Sequence, residues 1–131
     1  MTTPTQLVQN FYTALSIGDT SAIMTILDPD LKWTEAERFP YYGGMWNSPQ
    51  AVIENLLVPL SREWEDFSAK PNDFIAQDNQ VVALGTYSGT YKQTGNSMSS
   101  PFAHVWKVRD ERLSHFKQYT DTAKVLEALQ P

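Results

Sequence analysis

Three side chains in this sequence have the chemistry to move a proton within an enclosed site: His104, Asp121 and Glu35. His104 alternates with Phe102 and Trp106 in a strand-like run, and side chains at every second position of a strand share one face. An imidazole has an ordinary pKa of about 6.5, which suits proton transfer at neutral pH. The pattern predicts a general acid or base at His104. The structural alternative is a buried neutral imidazole that is hydrogen-bonded at both ring nitrogens.

Two carboxylates accompany this histidine as catalytic candidates. Asp121 stands where a strand pattern gives way to a helix pattern, so it is either an acid or base at the strand end or the N-cap of the following helix. Glu35 alternates with Trp33, and a carboxyl group desolvated beside an indole has a raised pKa that suits acid or base catalysis. The alternative for Glu35 is a solvent-exposed position or an ion pair with Arg38.

Aromatic side chains supply the candidates for ligand contact. They make up 12% of the chain, a surplus that fits either a thick core or an aromatic-lined cavity. The segment FPYYGGMW, residues 39–46, follows a predicted strand, and its two glycines would allow it to move as a lid; a packed loop is the alternative. The predicted substrate-binding residues are Trp33, Tyr41, Tyr42, Trp46, Phe102, Trp106 and Tyr119. Because residues 113–119 do not alternate strictly, a bulge there would decide which of Gln118, Tyr119 and Asp121 faces the pocket, and this choice stays open.

The elements that must position these side chains follow from hydrophobic periodicity. Helical spacing covers residues 3–17, 19–28, 48–60 and 121–129, and Pro59 is expected to kink or end the third helix. Strand patterns cover residues 31–37, 64–76, 81–92, 98–109 and 112–120, with a bulge or bend expected at 70–72. Residues 38–47 are predicted to be irregular. The pattern indicates one α+β domain over residues 1–131, with helices on one side of a largely antiparallel sheet.

Composition excludes several classes of function. A net charge of −5 disfavours binding to nucleic acid. No run of about 18 apolar residues occurs, so no membrane span is expected, and the first residues do not form a signal peptide pattern. The chain has no cysteine, which excludes disulfides and fits a cytoplasmic location. With two histidines and no metal-binding or phosphate-binding motif, we expect no metal and no cofactor.

Several short motifs, in this order of elements, resemble the nuclear-transport-factor-two-like superfamily, and within it the SnoaL-like polyketide cyclase and ketosteroid-isomerase-related branch. The motifs are FYxALxxGD at 11–19, LxPDLxW at 27–33, PYxG at 40–43, GTYSGTYK at 85–92, HVW at 104–106 and QYTDT at 118–122. The resemblance implies a bent sheet wrapped by three helices into a cone with a central pocket, a short C-terminal helix, and a homodimer formed through the outer sheet face. In SnoaL-like cyclases an aspartate near the end of the last strand acts as acid or base, and the resemblance gives this role to Asp121.

Three functions are compatible with this sequence. The first is a cofactor-independent isomerase, cyclase or lyase that acts on a small apolar, carbonyl-bearing molecule, in which a base removes a proton beside the carbonyl and Tyr or His donors stabilise the enolate. The second is a protein that binds such a molecule without converting it. The third is a dimeric interaction protein whose outer sheet face is functional. An enzyme requires at least two of His104, Asp121 and Glu35 to converge on one cavity.

Overall fold

A computed structural model describes residues 2–41 and 44–131. Its helices are α1 (Pro4–Ile17), α2 (Thr20–Ile26), α3 (Pro49–Val52), α4 (Val58–Glu63) and α5 (Thr122–Ala128), and a π-helical segment (Ile53–Leu57) joins α3 to α4. Its strands are β1 (Leu27–Thr34), β2 (Met45–Trp46), β3 (Trp64–Gln77), β4 (Gln80–Tyr91), β5 (Ser97–Arg109) and β6 (Arg112–Thr120). The six strands form one mixed sheet in the order β2-β1-β6-β5-β4-β3, so the predicted α+β class is confirmed.

The first helix begins and ends where the sequence predicts. The Thr3 hydroxyl accepts a hydrogen bond from the backbone N–H of Gln6 at 3.1 Å, and the Gln6 side chain accepts one from the backbone N–H of Thr3 at 3.0 Å. Pro4 occupies the first turn, where its missing N–H costs nothing. Gly18 ends the helix with a φ of 69°, the left-handed conformation that glycine adopts without strain. This helix carries Tyr12 over the sheet.

The third helical region continues past Pro59 to Glu63, whereas the sequence predicted a kink or an end at the proline. The irregularity lies just before the proline, where the N–H of Val58 donates to the carbonyl of Ile53 five residues back. A proline ring clashes with the carbonyl four residues before it, and a widened turn at that place relieves the clash. The π-helical segment therefore lets one helix pass through Pro59 and cover the inner face of the sheet.

Two rows of side chains cross the inner face of the sheet. In the first row Trp106 on β5 is paired with Val81 on β4 and with Phe116 on β6, and Phe116 is paired in turn with Trp33 on β1. These side chains are buried and belong to the main hydrophobic core. In the second row His104 on β5 is paired with Ala83 and Gln118. The strand alternation predicted for β5 is thus confirmed, and it places the histidine beside the aromatic core.

Two features of the sheet bear directly on the sequence predictions, a bulge in β3 and the short strand β2, and the sequence anticipated only the bulge. The register of β3 against β4 shifts between Pro71 and Asp73, which confirms the predicted bulge. The strand β2 lies inside residues 38–47, which were predicted to be irregular; Met45 and Trp46 pair with the end of β1. A two-residue strand is too short to show an alternation of polar and apolar residues, so no sequence pattern could indicate it.

The helices in the described part of the chain are short. The longest, α1, has 14 residues, and none is both long and apolar enough to span a lipid bilayer. The cytoplasmic location inferred from composition stays a prediction.

The backbone of β3 approaches Gly85 on β4 so closely that there is no room for a side chain at this position. A Cβ atom at Gly85 would lie 2.2 Å from the carbonyl oxygen of Lys70 and 2.8 Å from the Cα of Pro71. Because backbone atoms cannot rotate away, we expect Gly85→Ala to lower the free energy of unfolding by about 1–3 kcal/mol. Gly89→Ala is the matched control, since its Cβ would meet the Cα of Phe67 at 3.1 Å and needs only a small shift. Urea denaturation measures both variants, and equal losses would contradict the prediction.

Candidate functional site

A cavity of about 520 Å³ lies between the inner face of the sheet and the helices α1, α2 and α4, together with the π-helical segment. This volume is in the range of small-molecule sites, and the wall is mainly aromatic and aliphatic. The apolar lining includes Phe11, Ile23, Trp33, Phe39, Leu56 and Phe116. Five of the polar side chains that line this space are buried: Tyr12, Glu35, Tyr87, His104 and Gln118. The aromatic residues of this chain therefore build both a core and a lined cavity.

His104 is the centre of a hydrogen-bonded chain on the cavity wall. Its Nδ1 is 2.5 Å from the hydroxyl of Tyr12 on α1, and its Nε2 is 2.5 Å from the hydroxyl of Tyr87 on β4. The ring of Phe102 stacks on the imidazole with centroids 3.9 Å apart. Burial holds the pKa of His104 well below its ordinary value, so the imidazole is neutral at pH 7. Both ring nitrogens are thus occupied by protein groups, as the structural alternative for His104 predicted.

The hydroxyls of Tyr12 and Tyr87, which flank His104, each accept a hydrogen bond from a second group as well. The indole Nε1–H of Trp106 donates to the hydroxyl of Tyr12 at 3.1 Å. The amide Nε2 of Gln118 donates to the hydroxyl of Tyr87 at 2.8 Å. Burial raises the pKa of both tyrosine hydroxyls, and the nearby Glu35 carboxyl raises that of Tyr87 further. The two phenols therefore stay protonated and act as neutral hydrogen-bond donors.

Glu35 is the acidic group of the cavity. Its side chain is buried, with 3% of its surface exposed, and the Nε1–H of Trp33 donates to its Oε1 at 2.9 Å. Its Oε2 is buried without a hydrogen bond to any described residue. Burial raises the pKa of the Glu35 carboxyl to about 7, although the Trp33 hydrogen bond opposes part of this shift. The carboxyl group can therefore give or take a proton near neutral pH, and one of its oxygens is available to do so.

The parallel pairing of β1 with β6 brings Glu35 to the histidine row. Glu35 lies one residue beyond Thr34, which pairs with Lys117, so it stands beside Gln118 at the end of the strand. The backbone N–H of the next residue, Ala36, donates to the Oε1 of Gln118 at 3.0 Å. Gln118 therefore links the strand end that carries Glu35 to Tyr87 and, through it, to His104.

The structure places Asp121 away from these groups. Its side chain is exposed and accepts a hydrogen bond from the backbone N–H of Lys124, which makes it the N-cap of α5. The capping alternative stated for Asp121 is confirmed, and this residue does not line the cavity. Two of the three catalytic candidates, His104 and Glu35, face one cavity, and the third does not.

Position 118, and not position 119, points inward on β6. Gln118 is buried and lines the cavity, whereas Tyr119 is 51% exposed on the outer face. The register of β5 against β6 shifts between Lys107 and Val108, and Leu113 and Ser114 are buried in succession. This irregularity reverses which positions of β6 face inward. The predicted ligand contact of Tyr119 is therefore corrected, because its ring lies on the opposite side of the sheet.

The remaining ligand-contact candidates fall into three groups. Trp33 lines the cavity. Phe102 and Trp106 are buried behind the histidine chain, where they pack against and hydrogen-bond its members. Tyr41 and Trp46 pack against the core outside the cavity, and the Tyr41 hydroxyl donates to Glu63 at 2.9 Å. At these two positions the segment is therefore a packed loop, the alternative to a mobile lid. Tyr42 and Gly43 lie outside the described residues.

Two residues of the site were not among the candidates from sequence: Tyr12 and Tyr87. Tyr12 is one member of the apolar stripe of α1, and its hydroxyl meets a histidine 92 positions away. Tyr87 belongs to a long strand with several aromatic residues. Only the alternation of β4, in which Tyr87 shares a face with Val81 and Ala83, could have indicated that it points inward.

Metal-binding clusters are absent from the part of the chain that the structure describes: no three His, Asp or Glu side chains come together as ligands there. Four of the buried polar side chains of the cavity, Tyr12, His104, Tyr87 and Gln118, are instead joined to one another by hydrogen bonds.

Comparison with known proteins gives several structural neighbours. A nuclear-transport-factor-two-like protein from Burkholderia thailandensis is 37% identical, with 100% of each chain covered and a TM-score of 0.95. TerC, crystallised with polyporic acid, is 24% identical over 98% of each chain, with a TM-score of 0.85. A protein with a ketosteroid isomerase-like fold from Catenulispora acidiphila, in complex with trimethylamine, is 16% identical over 96% of this chain and 94% of that chain, with a TM-score of 0.82. No curated protein sequence matches this chain significantly.

The family model that matches is the SnoaL-like domain, over residues 8–116. The match spans α1 through most of β6 and includes every polar residue of the cavity except Gln118. The likeness in fold to proteins of low identity extends over nearly the whole chain. The predicted family is confirmed, and the chain belongs to the SnoaL-like domain family within the nuclear-transport-factor-two-like fold.

Proposed function

We propose that this protein binds a small, largely apolar molecule with a carbonyl group in its cavity, and that Glu35 transfers a proton on that molecule. The observation that carries this proposal is the state of Glu35: its carboxyl group is buried on the cavity wall, has a pKa raised to about 7 by burial, and has one oxygen without a protein partner. A carboxyl group poised near neutral pH in an apolar cavity is suited to general acid and base catalysis.

The proposed reaction is the abstraction of a proton from the carbon next to the carbonyl. The Glu35 carboxylate takes the proton through Oε2, while its Oε1 keeps the hydrogen bond from Trp33. The electrons of the broken C–H bond form an enolate, and a tyrosine hydroxyl of the histidine chain donates a hydrogen bond to its oxygen. Return of the proton from Glu35 to a different carbon gives an isomer. Alternatively, attack of the enolate on a second carbonyl carbon closes a ring, and the alkoxide formed from that carbonyl takes the proton from Glu35. Neither outcome requires a cofactor.

A non-catalytic binding protein is the second candidate, and the state of His104 favours it. Both nitrogens of this histidine are held by Tyr12 and Tyr87, so the imidazole itself cannot take a proton from a ligand. The ligand would then be held by the aromatic wall and one polar contact. TerC, a structural neighbour that has been crystallised with polyporic acid, supports small-molecule binding in this fold.

We further propose that the chain forms a homodimer through the outer sheet face. Leu84, Ala103 and Tyr119 are aligned across three strands of that face, next to the aligned pair Val82 and Val105. Asp73 lies at the β3 edge of this face and Lys117 at the β6 edge. A two-fold axis along the strands would place the lysine of one copy near the aspartate of the other, so the face complements a second copy of itself.

A proton-exchange assay tests the enzymatic proposal. With 2-tetralone as probe in deuterated water, we expect the protein to accelerate deuterium incorporation beside the carbonyl, with a rate that rises with pH through about 7 as Glu35 ionises. Glu35→Gln should lower this rate by about 100-fold or more while the probe still binds. Glu37→Gln, an exposed carboxylate two residues away, is the matched control and should keep the rate. Binding without exchange would leave the non-catalytic candidate, and an equal loss in both variants would exclude Glu35 as the base.

The pH dependence of stability tests the state of Glu35 without any ligand. Its pKa is 4.5 ordinarily and about 7 in the folded protein, so between these values the folded protein holds a proton that the unfolded chain releases. Stability relative to Glu35→Gln should therefore be full at low pH and fall by about 3 kcal/mol as pH rises through the folded pKa. Urea denaturation of both proteins at each pH measures the difference in their free energies of unfolding. The other titrating groups are the same in both proteins, so their contributions cancel in this difference. A difference that does not change with pH would show that Glu35 is solvated.

Sedimentation analysis tests the proposed dimer. We expect the unmodified chain to sediment as a dimer and Leu84→Arg to sediment as a folded monomer, because two copies of the new charge would meet at the apolar face. Met24→Arg, which places the same charge on an exposed apolar residue of α2, should remain dimeric. A monomeric unmodified chain, or equal dissociation of both variants, would contradict the proposed interface.

A further inference from the structure

We propose that Tyr12, His104 and Tyr87 form a switchable hydrogen-bond donor: the protonated nitrogen of His104 determines which of the two tyrosines offers its O–H to the ligand. His104 would then be a positioning residue that never touches the ligand. This inference rests on the proposed function, because it assumes that the cavity receives a molecule with an acceptor oxygen.

The first step is that each tyrosine oxygen already accepts one fixed hydrogen bond. The partner of Tyr12 is the indole N–H of Trp106, which can only donate. The partner of Tyr87 is the side-chain amide of Gln118, whose orientation is set because its oxygen accepts from the backbone N–H of Ala36. Neither of these two donors can accept a hydrogen from its tyrosine, so each hydroxyl hydrogen must point elsewhere.

The second step is a count of the hydrogens on His104. A neutral imidazole has one N–H and one bare nitrogen. When Nε2 carries the hydrogen, Tyr12 donates to Nδ1, and the oxygen of Tyr87 accepts from Nε2, which leaves the hydroxyl hydrogen of Tyr87 without a partner in the chain. When Nδ1 carries the hydrogen, the roles are reversed and Tyr12 has the unused hydrogen. In either tautomer one tyrosine O–H therefore has no acceptor within the hydrogen-bonded chain: the O–H of Tyr87 in the Nε2–H tautomer, and the O–H of Tyr12 in the Nδ1–H tautomer.

The third step concerns where the leftover hydrogen can go. Both tyrosines line the cavity, and within the described residues each hydroxyl has only the two partners already named. A buried donor without an acceptor costs free energy, so a ligand oxygen placed against either hydroxyl is favoured. The geometry thus points to ligands with a carbonyl or enolate oxygen at either of two positions, and the position of that oxygen selects the tautomer.

The neutral state of His104 limits the site to one such donor at a time. A protonated imidazole would donate at both nitrogens and free both hydroxyl hydrogens, but it would place a charge in a fully buried position. A ligand with two acceptor oxygens, one against each tyrosine, would therefore gain no more than one strong hydrogen bond. This limit separates the switch from a pair of independent tyrosine donors.

Nitrogen-15 NMR of histidine-labelled protein tests the switch, with His115→Gln used to assign the His104 signals. Without ligand, both nitrogens should be in the neutral form, and the minor tautomer should be populated at about 10% or more. A single fixed tautomer, or a charged imidazole at neutral pH, would overturn the proposal. This arm leaves Tyr12, His104 and Tyr87 unchanged, so it does not depend on variants of the site or on the binding of any probe.

A second arm uses 2-acetonaphthone with a carbon-13 carbonyl as the probe. In Tyr12→Phe the remaining donor is Tyr87, which requires the hydrogen on Nε2; in Tyr87→Phe the remaining donor is Tyr12, which requires it on Nδ1. We expect opposite His104 tautomers in the two complexes and a carbonyl stretching frequency lowered by hydrogen bonding in both. In the double variant the lowering should be lost, and the dissociation constant should rise roughly tenfold.

The outcomes separate the switch from the proposed function. The same tautomer in both single variants, or loss of the carbonyl shift in only one of them, would mean a fixed donor and would overturn the switch. Tyr91→Phe, on the same strand as Tyr87 but outside the cavity lining, should leave the tautomer and the carbonyl frequency unchanged. If the unmodified protein fails to bind the probe, carbonyl recognition is contradicted, and the ligand-free tautomer populations alone decide the switch.

Discussion

The burial of one imidazole in the middle of the sheet is the constraint on which the site depends. A buried imidazole loses its hydration at both nitrogens, and the protein must replace both hydrogen bonds. One replacement comes from Tyr12, which fixes α1 against the sheet, and the other from Tyr87 on the neighbouring strand. With Tyr12 held there, the adjacent Phe11 packs on Trp106 with ring centroids 4.8 Å apart. The hydrogen-bonding requirement of His104 therefore sets the distance between helix and sheet at this end of the cavity.

Desolvation shifts the pKa values of His104 and Glu35 in opposite directions but favours the neutral form of both side chains. It lowers the pKa of His104 and raises that of Glu35. Below about pH 7 the cavity holds no charge on either group, which suits an apolar ligand. The two groups differ in their partners: the histidine has a protein partner on each nitrogen, whereas Glu35 has one oxygen without a partner. The proposed function therefore gives proton transfer to the carboxyl group and positioning to the imidazole.

Patterns that depend on near neighbours were predictable, and contacts between distant segments were not. Helix caps and strand alternation placed the helices, the main strands and the inward faces of Glu35 and His104 correctly. The uneven alternation of residues 113–119 indicated a possible bulge, but the choice between Gln118 and Tyr119 depends on where the register of β6 against β5 shifts, and no local pattern specifies that place. The partners of His104 could not be predicted either, since Tyr12 is separated from it by 92 residues and was one of several apolar residues on its helix face.

The position of the acidic group shows how one fold can relocate its chemistry. Resemblance to SnoaL-like cyclases directed attention to Asp121, at the end of the last strand, but in this chain that carboxylate caps a helix in solvent. Parallel strands end at the same edge of a sheet, so β1, which runs alongside β6, delivers Glu35 to the same neighbourhood from the adjacent strand. Under the proposed function, the acid therefore approaches the ligand from the end of β1, beside the inward-facing Gln118, and the strand that carries the acid determines where on the ligand the proton is transferred.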